Sequence, residues 1–314
     1  MNNKQVDILL GTYNGAKYLS KLLQSIEKQI YTQWKLLVRD DCSKDETKNI
    51  IVEFKQKYPE KVEIIDNEGK NLGACKNFLK LLEYSKSEYI FFCDQDDFWL
   101  PDKIEKMVNK ASKVEKKYSD IPFLIHHDLI VVDENLRTIS DSFWEYQFIK
   151  PDFCNTLPRL LVTNSVTGCA TMINKKLRDL IIPAPSNVIM HDWWIALVAS
   201  AFGKIFWIPD RLVLYRQHGK NDVGAKAWNL PYIIKKAITF YNREALLKGF
   251  RDTIKQAECF LNRYKEELSE PYKFTVEAYI NLLNDGFLKR RINIIRYGFL
   301  RTGLIRNIGF LLRI

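Results

Sequence analysis

Short apolar runs alternate with helical apolar repeats along the first 130 residues of this 314-residue chain. The first run, Val6–Leu10, ends in a polar turn, and apolar side chains then recur at helical spacing at Leu19, Leu22, Leu23 and Ile26. Four later runs have the same character: Lys35–Val38, Val62–Ile65, Tyr89–Cys93 and Phe123–Ile125. Repeated strand–helix units predict an α/β fold, with an open, mostly parallel sheet that has helices on both faces.

Polar residues follow the predicted strands at four places. The four groups are Thr12-Tyr13-Asn14, Asp40-Asp41, Asn71-Leu72-Gly73 and Asp94-Gln95-Asp96-Asp97. In a sheet of this kind, ligands collect at the carboxyl ends of the strands, where the loops begin. One polar group would be an ordinary solvated loop, but four groups at equivalent places predict a binding site.

The last of these groups contains three carboxylates, Asp94, Asp96 and Asp97, directly after the uncharged apolar run Tyr89–Cys93. Carboxylates clustered at the end of a buried strand repel one another unless a cation is present. A hard divalent ion with oxygen ligands removes this repulsion. The alternative is a polar turn that caps the next helix, for which Asp97 or Asp102 would be enough. The cluster therefore favours a site for Mg²⁺ or Mn²⁺.

The four polar groups, together with His191-Asp192 further along the chain, resemble glycosyltransferase family 2, whose enzymes have the GT-A fold. The resemblance covers about residues 5 to 225. Three stretches look most like bacterial rhamnosyltransferases: Cys93–Trp99, His191–Trp194 and Tyr215–Asn221. Many family members carry Glu-Asp where this chain has His191-Asp192, which leaves open whether the histidine shares the catalytic work.

The resemblance implies an inverting, metal-dependent glycosyltransferase. Such an enzyme would move L-rhamnose from dTDP-rhamnose to a hydroxyl group of a glycan or lipid-linked glycan in cell-surface polysaccharide synthesis. Two alternatives stay open: a UDP-hexose-dependent enzyme of the same fold, and a non-catalytic protein that binds a nucleotide sugar. A dinucleotide-dependent oxidoreductase is disfavoured, because Gly11–Gly15 does not have the spacing of a GxGxxG turn.

The resemblance also implies roles for the first two polar groups in binding the donor nucleotide. Thr12, Tyr13 and Asn14 match the turn that holds the nucleotide, and a tyrosine there can stack on a base. Asp40 matches the carboxylate that accepts the N3–H of uracil or thymine. Asp41 is expected near the ribose.

The other two polar groups and a later histidine complete the implied donor and metal sites. Asn71 and Gly73 are expected at the donor, and Asp94 at the ribose or the metal. Asp96 matches the direct metal ligand, and His218 matches a histidine that the family often brings to the metal or diphosphate. An ordinary polar loop residue is the alternative for His218.

Asp192 is the candidate for the catalytic base, because inversion needs a group that takes the proton of the acceptor hydroxyl. The apolar neighbours Trp193 and Trp194 would raise the pKa of this carboxylate and could form a platform for an acceptor sugar. His191 is expected on the same acceptor side. The competing interpretation is that Asp192 caps a helix over Trp193–Ser200, and a capping carboxylate can still accept a proton.

The remaining acceptor-side expectations are Asp97, Gly168 and Cys169. Gly168 and Cys169 match the family's acceptor-side loop, although a tight turn that needs glycine explains Gly168 equally well. The six cysteines have no CxxC or Cys/His spacing, so they are expected to be free thiols. We therefore expect one GT-A domain over residues 1–225, with a nucleotide-sugar half (1–130) and an acceptor half (131–225).

Residues 226–314 are expected to form a helical, basic C-terminal region. From Phe287 to Ile314 the chain carries seven Lys or Arg, no acid, and repeated Leu, Ile and Phe. This composition is typical of a membrane-surface element, or of a helix that packs on the body with a solvated basic face. Both interpretations stay open at this point.

The net charge of +10 indicates an anionic partner. The basic residues do not form a nucleic-acid-binding motif, so a nucleotide sugar, an anionic lipid surface or both would account for the charge. No signal peptide is visible, and no uncharged apolar stretch reaches the roughly eighteen residues of a spanning helix. We expect a cytoplasmic protein, peripheral at the inner face of the cell membrane.

Overall fold

The computed structural model describes residues 4–219, 224 and 243–314 of the chain. Nine strands form one sheet in the order β3-β2-β1-β4-β8-β6-β9-β5, and β7 pairs with β6 at the side. The strands are β1 Val6–Thr12, β2 Trp34–Asp40, β3 Val62–Ile64, β4 Tyr89–Asp94, β5 Phe98–Trp99, β6 Phe123–Val132, β7 Thr138–Ser140, β8 Thr171–Asn174 and β9 Lys204–Arg216.

Thirteen α-helices lie within the described residues. The first nine are α1 Ala16–Glu27, α2 Thr47–Lys57, α3 Ala74–Tyr84, α4 Lys103–Lys117, α5 Phe143–Gln147, α6 Pro151–Cys154, α7 Leu157–Val162, α8 Lys175–Ile181 and α9 His191–Phe202. The C-terminal region adds α10 Arg243–Tyr264, α11 Glu270–Ile280, α12 Phe287–Tyr297 and α13 Leu304–Arg313. None of the helices described here combines the length and the apolar content needed to cross a bilayer.

The α/β class expected from the sequence is confirmed, and the sheet is mixed. Strands β3, β2, β1 and β4 run parallel to one another, as the alternating strand–helix pattern predicts. Strand β8 is antiparallel to both of its neighbours, β4 and β6, whereas β9 is again parallel to β6. The parallel order is thus strict only in the half where each strand is followed by a crossover helix.

Two apolar cores lie on the two faces of this sheet. Neighbouring residues of β1 alternate between them, because side chains of a strand point to opposite faces: Ile8 and Leu10 join one core, and Leu9 joins the other. Helices α1 and α4 cover the first core, and α3, α8 and α9 cover the second. Burial on both faces explains why β1 and β4 consist mainly of apolar residues.

The C-terminal helices pack on the body of the protein. Phe250, Phe260, Tyr279 and Phe310 are buried and belong to the core that also contains α9. The helical character expected for this region is therefore seen in the described part. The expected boundary at residue 225 and the end of the Tyr215–Asn221 motif lie outside the described residues.

Candidate active site

A large cleft lies where the carboxyl ends of β1, β2 and β4 meet the segment after α7 and the loop before α9. All four predicted polar groups contribute to its lining, as the argument from strand ends anticipates. Residues of the expected acceptor side also line it. The predicted site residues that line the cleft are Thr12, Tyr13, Asn14, Asp41, Asn71, Gly73, Asp94, Asp96, Gly168, His191, Asp192, Trp193 and His218.

The turn after β1 is fixed by hydrogen bonds with two other segments. Asn14 adopts a positive φ of 49°, its backbone N–H donates to the Oγ of Ser43 at 2.8 Å, and its Oδ1 accepts from the N–H of Lys44 at 2.8 Å. The side-chain amide of Gln95 bonds both the N–H and the carbonyl of Tyr13. The Tyr13 ring is thereby held at the mouth of the cleft, where it is 47% exposed.

The carboxylates of Asp40 and Asp41 have different environments. Asp40 does not line the cleft: it accepts hydrogen bonds from the Thr12 hydroxyl at 3.0 Å and from the N–H and hydroxyl of Ser43 at 2.8 and 2.5 Å. The predicted contact of Asp40 with the nucleobase is therefore wrong, because its oxygens brace the turn from behind. Asp41 is the member of the pair that borders the cleft.

Asp41 also organises the third polar group. Its carboxylate accepts from the Arg39 guanidinium at 2.8 Å and from the backbone N–H of Gly73 at 2.7 Å, and its carbonyl accepts from the Asn71 amide at 2.7 Å. Gly73 has φ 77°, a conformation that side-chain-bearing residues rarely adopt. Glycine at this position lets the loop turn its N–H groups towards the carboxylate.

Two of the clustered acids and a distant histidine face the cleft together. The Oδ2 atom of Asp96 lies 2.6 Å from Nε2 of His218, and Asp94 lies at the end of β4 beside them. The His218 ring stacks on Tyr18, with the ring centroids 5.1 Å apart. Carboxylate oxygens and an imidazole nitrogen form a donor set that suits Mn²⁺ or Mg²⁺.

Asp97 and Cys169 lie behind the cleft, so the predicted contacts of both with the acceptor are wrong. Asp97 is fully buried and accepts from the backbone N–H of Arg216 at 3.2 Å. Burial, together with the charges of Asp96 and Asp94, raises its pKa well above the ordinary value. The carboxylate points inward because its strand end is covered by β9 and the 3₁₀ turn Gly168–Ala170.

Among the described residues, the group whose ligand atoms all lie within 4.8 Å of one another is Asp94, Asp97 and Cys169. Burial raises the pKa of the Cys169 thiol, so the sulfur keeps its proton and is a poor ligand for a hard cation. The cleft-facing set of Asp94, Asp96 and His218 is therefore the better candidate metal site.

Lys103 is a buried cation next to this cluster that the sequence analysis missed. Its side chain is fully buried, its Nζ donates to the Cys169 carbonyl at 2.6 Å, and it lies 3.4 Å from the centroid of the Trp99 ring. Burial lowers its pKa to about 8. The sequence does carry a signal for this burial: Lys103 lies four residues before Met107, which places both on the apolar face of α4.

Asp192 lines the cleft on the side of the expected acceptor. Its Oδ2 accepts from the backbone N–H of Gly168 at 3.1 Å and its Oδ1 from the N–H of Trp193 at 2.6 Å. Burial raises the pKa of this carboxyl to about 7, although these hydrogen bonds oppose the shift. The helix begins at His191 after the cap residue Met190, so Asp192 lies inside the first turn and is not the cap.

His191 stays neutral beside Asp192. It is 4% exposed, and its ring stacks on Phe78 with centroids 4.2 Å apart. Burial lowers its pKa to about 3, so it carries no charge near neutral pH. A Cβ atom on Gly168 would lie 2.8 Å from its Nε2. Gly168 is therefore glycine because the loop passes directly against this ring.

The two tryptophans of α9 point in different directions. Trp193 lines the cleft, and its indole N–H donates to the carbonyl of Leu160 at 2.5 Å. Trp194 is fully buried and packs against Phe260 and Tyr264 of α10. The prediction that Trp194 helps to bind an acceptor sugar is wrong, because consecutive residues of a helix are about 100° apart around its axis.

The C-terminal helices contribute to the cleft as well, which the division at residue 225 did not anticipate. Phe250, Asp252 and Thr253 of α10 line it, and so does Arg301 between α12 and α13. These residues lie on the side of Thr163–Gly168 and α9. The side of the cleft on which the acceptor is expected is therefore built partly from the helical region.

Comparison with known proteins identifies the family. A family model described as Glycosyl transferase family 2 matches residues 7–179. The dTDP-rhamnosyl transferase RfbG of Shigella flexneri is 30% identical over 234 residues, which cover 69% of this chain and 74% of the relative. WfgD of Escherichia coli, a UDP-Glc:alpha-D-GlcNAc-diphosphoundecaprenol beta-1,3-glucosyltransferase, is 32% identical over 174 residues, which cover 55% of this chain and 61% of WfgD.

Solved structures of GT-A glycosyltransferases have the same fold. Staphylococcus aureus TarS in complex with UDP matches with a TM-score of 0.55 at 18% identity, over 92% of this chain and 78% of that structure. The mannosyltransferase PcManGT from Pyrobaculum calidifontis, in complex with GDP-Man and Mn²⁺, matches with a TM-score of 0.55 at 14% identity, over 94% and 73%. The chain is a GT-A enzyme that belongs to glycosyltransferase family 2.

Proposed function

We propose that this glycosyltransferase is an inverting, metal-dependent enzyme that transfers L-rhamnose from dTDP-rhamnose to a hydroxyl group of a glycan or lipid-linked glycan. The observation that carries the proposal is a carboxylate with a raised pKa, Asp192, in the same cleft as Asp94, Asp96 and His218. This transfer has two requirements: a base that takes the proton of the acceptor hydroxyl, and residues that stabilise the negative charge of the departing diphosphate.

Asp41 and Tyr13 support the binding of a pyrimidine nucleotide. Asp41 borders the cleft, and a carboxylate there can accept the N3–H of thymine or uracil, while the exposed Tyr13 ring can stack on the base. RfbG, a dTDP-rhamnosyl transferase by name, favours dTDP-rhamnose as the donor. WfgD, whose name gives UDP-Glc as its donor, favours the second candidate, a UDP-hexose-dependent enzyme.

In the proposed reaction, the acceptor oxygen forms a bond to the anomeric carbon while the bond from that carbon to the diphosphate oxygen breaks. The proton of the acceptor hydroxyl passes to a carboxylate oxygen of Asp192, and the nucleoside diphosphate leaves with the electron pair. The N–H groups of Gly168 and Trp193 hold the carboxylate in place for this transfer. Burial lowers the pKa of His191 to about 3, which makes its ring a weak base, so we assign it no proton transfer.

Asp94, Asp96 and His218 are the residues that would hold a divalent cation. The fit rests on the donor set and on the contact of 2.6 Å between Asp96 and His218, which brings two ligand atoms to one point of the cleft. When bound, Mg²⁺ or Mn²⁺ supplies positive charge that stabilises the departing diphosphate. Tyr18 supports the arrangement by stacking on the His218 ring.

A non-catalytic nucleotide-sugar-binding protein is the weaker alternative, because it would not need a carboxyl group held at a pKa of about 7. The proposed acceptor belongs to a cell-surface polysaccharide, and we propose that the enzyme works as a peripheral protein at the cytoplasmic face of the membrane. Support for this location comes from the C-terminal helices, which carry both basic and exposed apolar residues.

A panel of donors tests the proposed function. The purified protein is incubated with dTDP-rhamnose, UDP-glucose, UDP-galactose or UDP-N-acetylglucosamine, with Mn²⁺ or with a chelator, and release of the nucleoside diphosphate is measured. We expect release from dTDP-rhamnose that depends on the metal. Release from a UDP-hexose instead would favour the second candidate, and no binding or release with any donor would overturn the proposal.

A further inference from the structure

Helices α12 and α13, which together with their connection we call the hairpin, are linked by side-chain hydrogen bonds. Near the start of α12, Arg290 and Arg291 donate to the carbonyl of Ile314, which follows α13. One side of each helix is anchored: Ile294 of α12 and Phe310 of α13 are buried in the core beneath them. The hairpin is therefore a fixed part of the protein.

The other side of each helix is apolar and exposed. In α12, Leu288, Ile292 and Ile295 follow one another at spacings of four and three, which places them on one helical face. In α13, the exposed face is formed by Leu304, Ile305, Ile308 and Leu312. Leu288 and Leu304 are 73% and 76% exposed. A helix on a water-facing surface normally has polar residues there, so these faces indicate a partner.

The charges around these faces identify the partner as an anionic bilayer. Residues 287–314 contain seven Lys or Arg and no acid, so the hairpin complements a negatively charged surface. Basic residues beside a shallow apolar face are the composition of helices that lie in the interface of a membrane. Each basic side chain near an anionic leaflet strengthens binding by a factor of about five.

The hairpin also reaches the acceptor end of the cleft. Arg301 lies in the connection between its two helices and lines the cleft. At the start of α13, Arg306 donates to the carbonyl of Gln147, another residue that lines the cleft. A molecule held in the bilayer at this hairpin would therefore meet the cleft at Arg301.

We propose that the exposed faces of α12 and α13 bind an anionic bilayer, and that a lipid-linked acceptor enters the cleft from it past Arg301. The second part rests on the proposed glycosyltransferase function, whereas bilayer binding does not. An arginine at this entrance suits the phosphate groups that join a glycan to its lipid.

Vesicle co-sedimentation tests the binding surface. The full-length protein is mixed with vesicles of phosphatidylcholine alone or of phosphatidylcholine and phosphatidylglycerol, and bound protein is measured. We expect binding to the anionic vesicles that weakens with salt, and a loss of at least about tenfold for Leu288→Glu/Ile292→Glu and for Ile305→Glu/Leu312→Glu. The control Val52→Glu/Ile139→Glu introduces the same charges at exposed apolar positions elsewhere and should bind like the wild type.

Point variants are needed because deletion of residues 287–314 would remove the core residues Ile294, Phe299 and Phe310. Thermal unfolding and metal-dependent release of nucleoside diphosphate serve as checks, and both should be unchanged in the surface variants. Equal sedimentation of variants and wild type would overturn the proposal. A second result would also overturn it: the wild type does not bind vesicles but forms dimers, and the same substitutions dissociate them. The partner of the exposed faces would then be a second copy of this chain.

Vesicles of phosphatidylcholine that contain a polyprenyl diphosphate test the entrance. We expect the lipid to increase binding of the wild type. Arg301→Gln should lose this increase, while its binding to phosphatidylglycerol vesicles should weaken by no more than about fivefold, the contribution of one basic side chain. If Arg301→Gln responds to the diphosphate lipid like the wild type, the acceptor does not enter past Arg301. If the protein binds anionic vesicles but neither binds nor cleaves any donor of the panel, the proposed bilayer-binding surface is retained and the proposed function is wrong.

Discussion

His218 and Asp96 are 122 positions apart in the chain, and the Nε2 of one lies 2.6 Å from the Oδ2 of the other. This contact joins the segment after β9 to the segment after β4. It places an imidazole beside the carboxylate that was the strongest metal-ligand candidate in the sequence. The same pair therefore joins two segments that both line the cleft.

Substitution of Asp96 tests the proposed metal site. We expect Asp96→Ala to abolish transfer and metal-dependent nucleotide binding, because a ligand is lost, and to leave the melting temperature near that of the wild type. Isothermal titration of dTDP with Mn²⁺ and with a chelator measures the effect. Asp102→Ala, which removes a partly exposed carboxylate six residues later, is the matched control. Full activity of Asp96→Ala in chelator would exclude the metal mechanism.

Substitution of Asp192 tests the proposed base. Asp192→Asn should keep the fold and the donor affinity but lose transfer by roughly two to four orders of magnitude, the usual contribution of a positioned general base. Single-turnover rates and donor titrations measure the two quantities separately. If donor affinity falls as much as the transfer rate, Asp192 is a structural residue. Its main role would then be to accept the hydrogen bonds of its two backbone N–H partners.

The pH dependence follows from the raised pKa of Asp192, about 7. The base accepts a proton only when it is ionised, so kcat/KM should rise with pH up to about 7 and level off above it. The pKa of this carboxyl group is higher in the folded state than in the unfolded chain, so the folded state holds the proton up to a higher pH. Its contribution to the free energy of unfolding should therefore fall as the pH rises from about 4 to about 7. A kcat/KM profile without an acidic limb near 7 would contradict the assignment.

The two adjacent tryptophans should respond differently to substitution. Trp194→Ala empties a buried site against Phe260 and Tyr264, so we expect a loss of about 3–5 kcal/mol in the free energy of unfolding. Trp193→Phe loses the indole hydrogen bond to Leu160, which should cost only about 1 kcal/mol, and it should raise the KM for the acceptor, because Trp193 lines the cleft. Urea denaturation and steady-state kinetics distinguish the two. Equal stability losses would mean that Trp193 is also a core residue.

Gly168→Ala tests the packing behind the base. The new methyl group would lie 2.8 Å from Nε2 of His191 and 3.7 Å from Cβ of Asp192. Since the His191 ring is held against Phe78, we expect Asp192 to move and kcat to fall by about tenfold to a hundredfold, with donor affinity unchanged. Gly286→Ala, which meets open space, should have wild-type kinetics. An active Gly168→Ala variant would show that the loop adjusts freely.

The sequence alone determined the parallel half of the fold and the edge of the sheet at which the site lies. Alternating apolar runs and polar strand ends are local signals, and they predicted the strands from β1 to β4 and the convergence of Thr12, Asp41, Asn71 and Asp94. The raised pKa of Asp192 was predicted from its apolar neighbours in the sequence, which is also a local signal. These features follow from backbone periodicity, which needs no long-range information.

Only the tertiary structure decided which members of each polar group reach the cleft. Asp40 and Asp41, Asp96 and Asp97, and Trp193 and Trp194 are pairs of identical neighbours, yet only one member of each pair lines the cleft. Segments that are distant in sequence decide which residue is covered. Strand β9 covers Asp97, and helix α10 covers Trp194. The burial of Lys103 and the position of Arg301 at the cleft likewise depend on contacts between residues far apart in sequence, which local patterns do not encode.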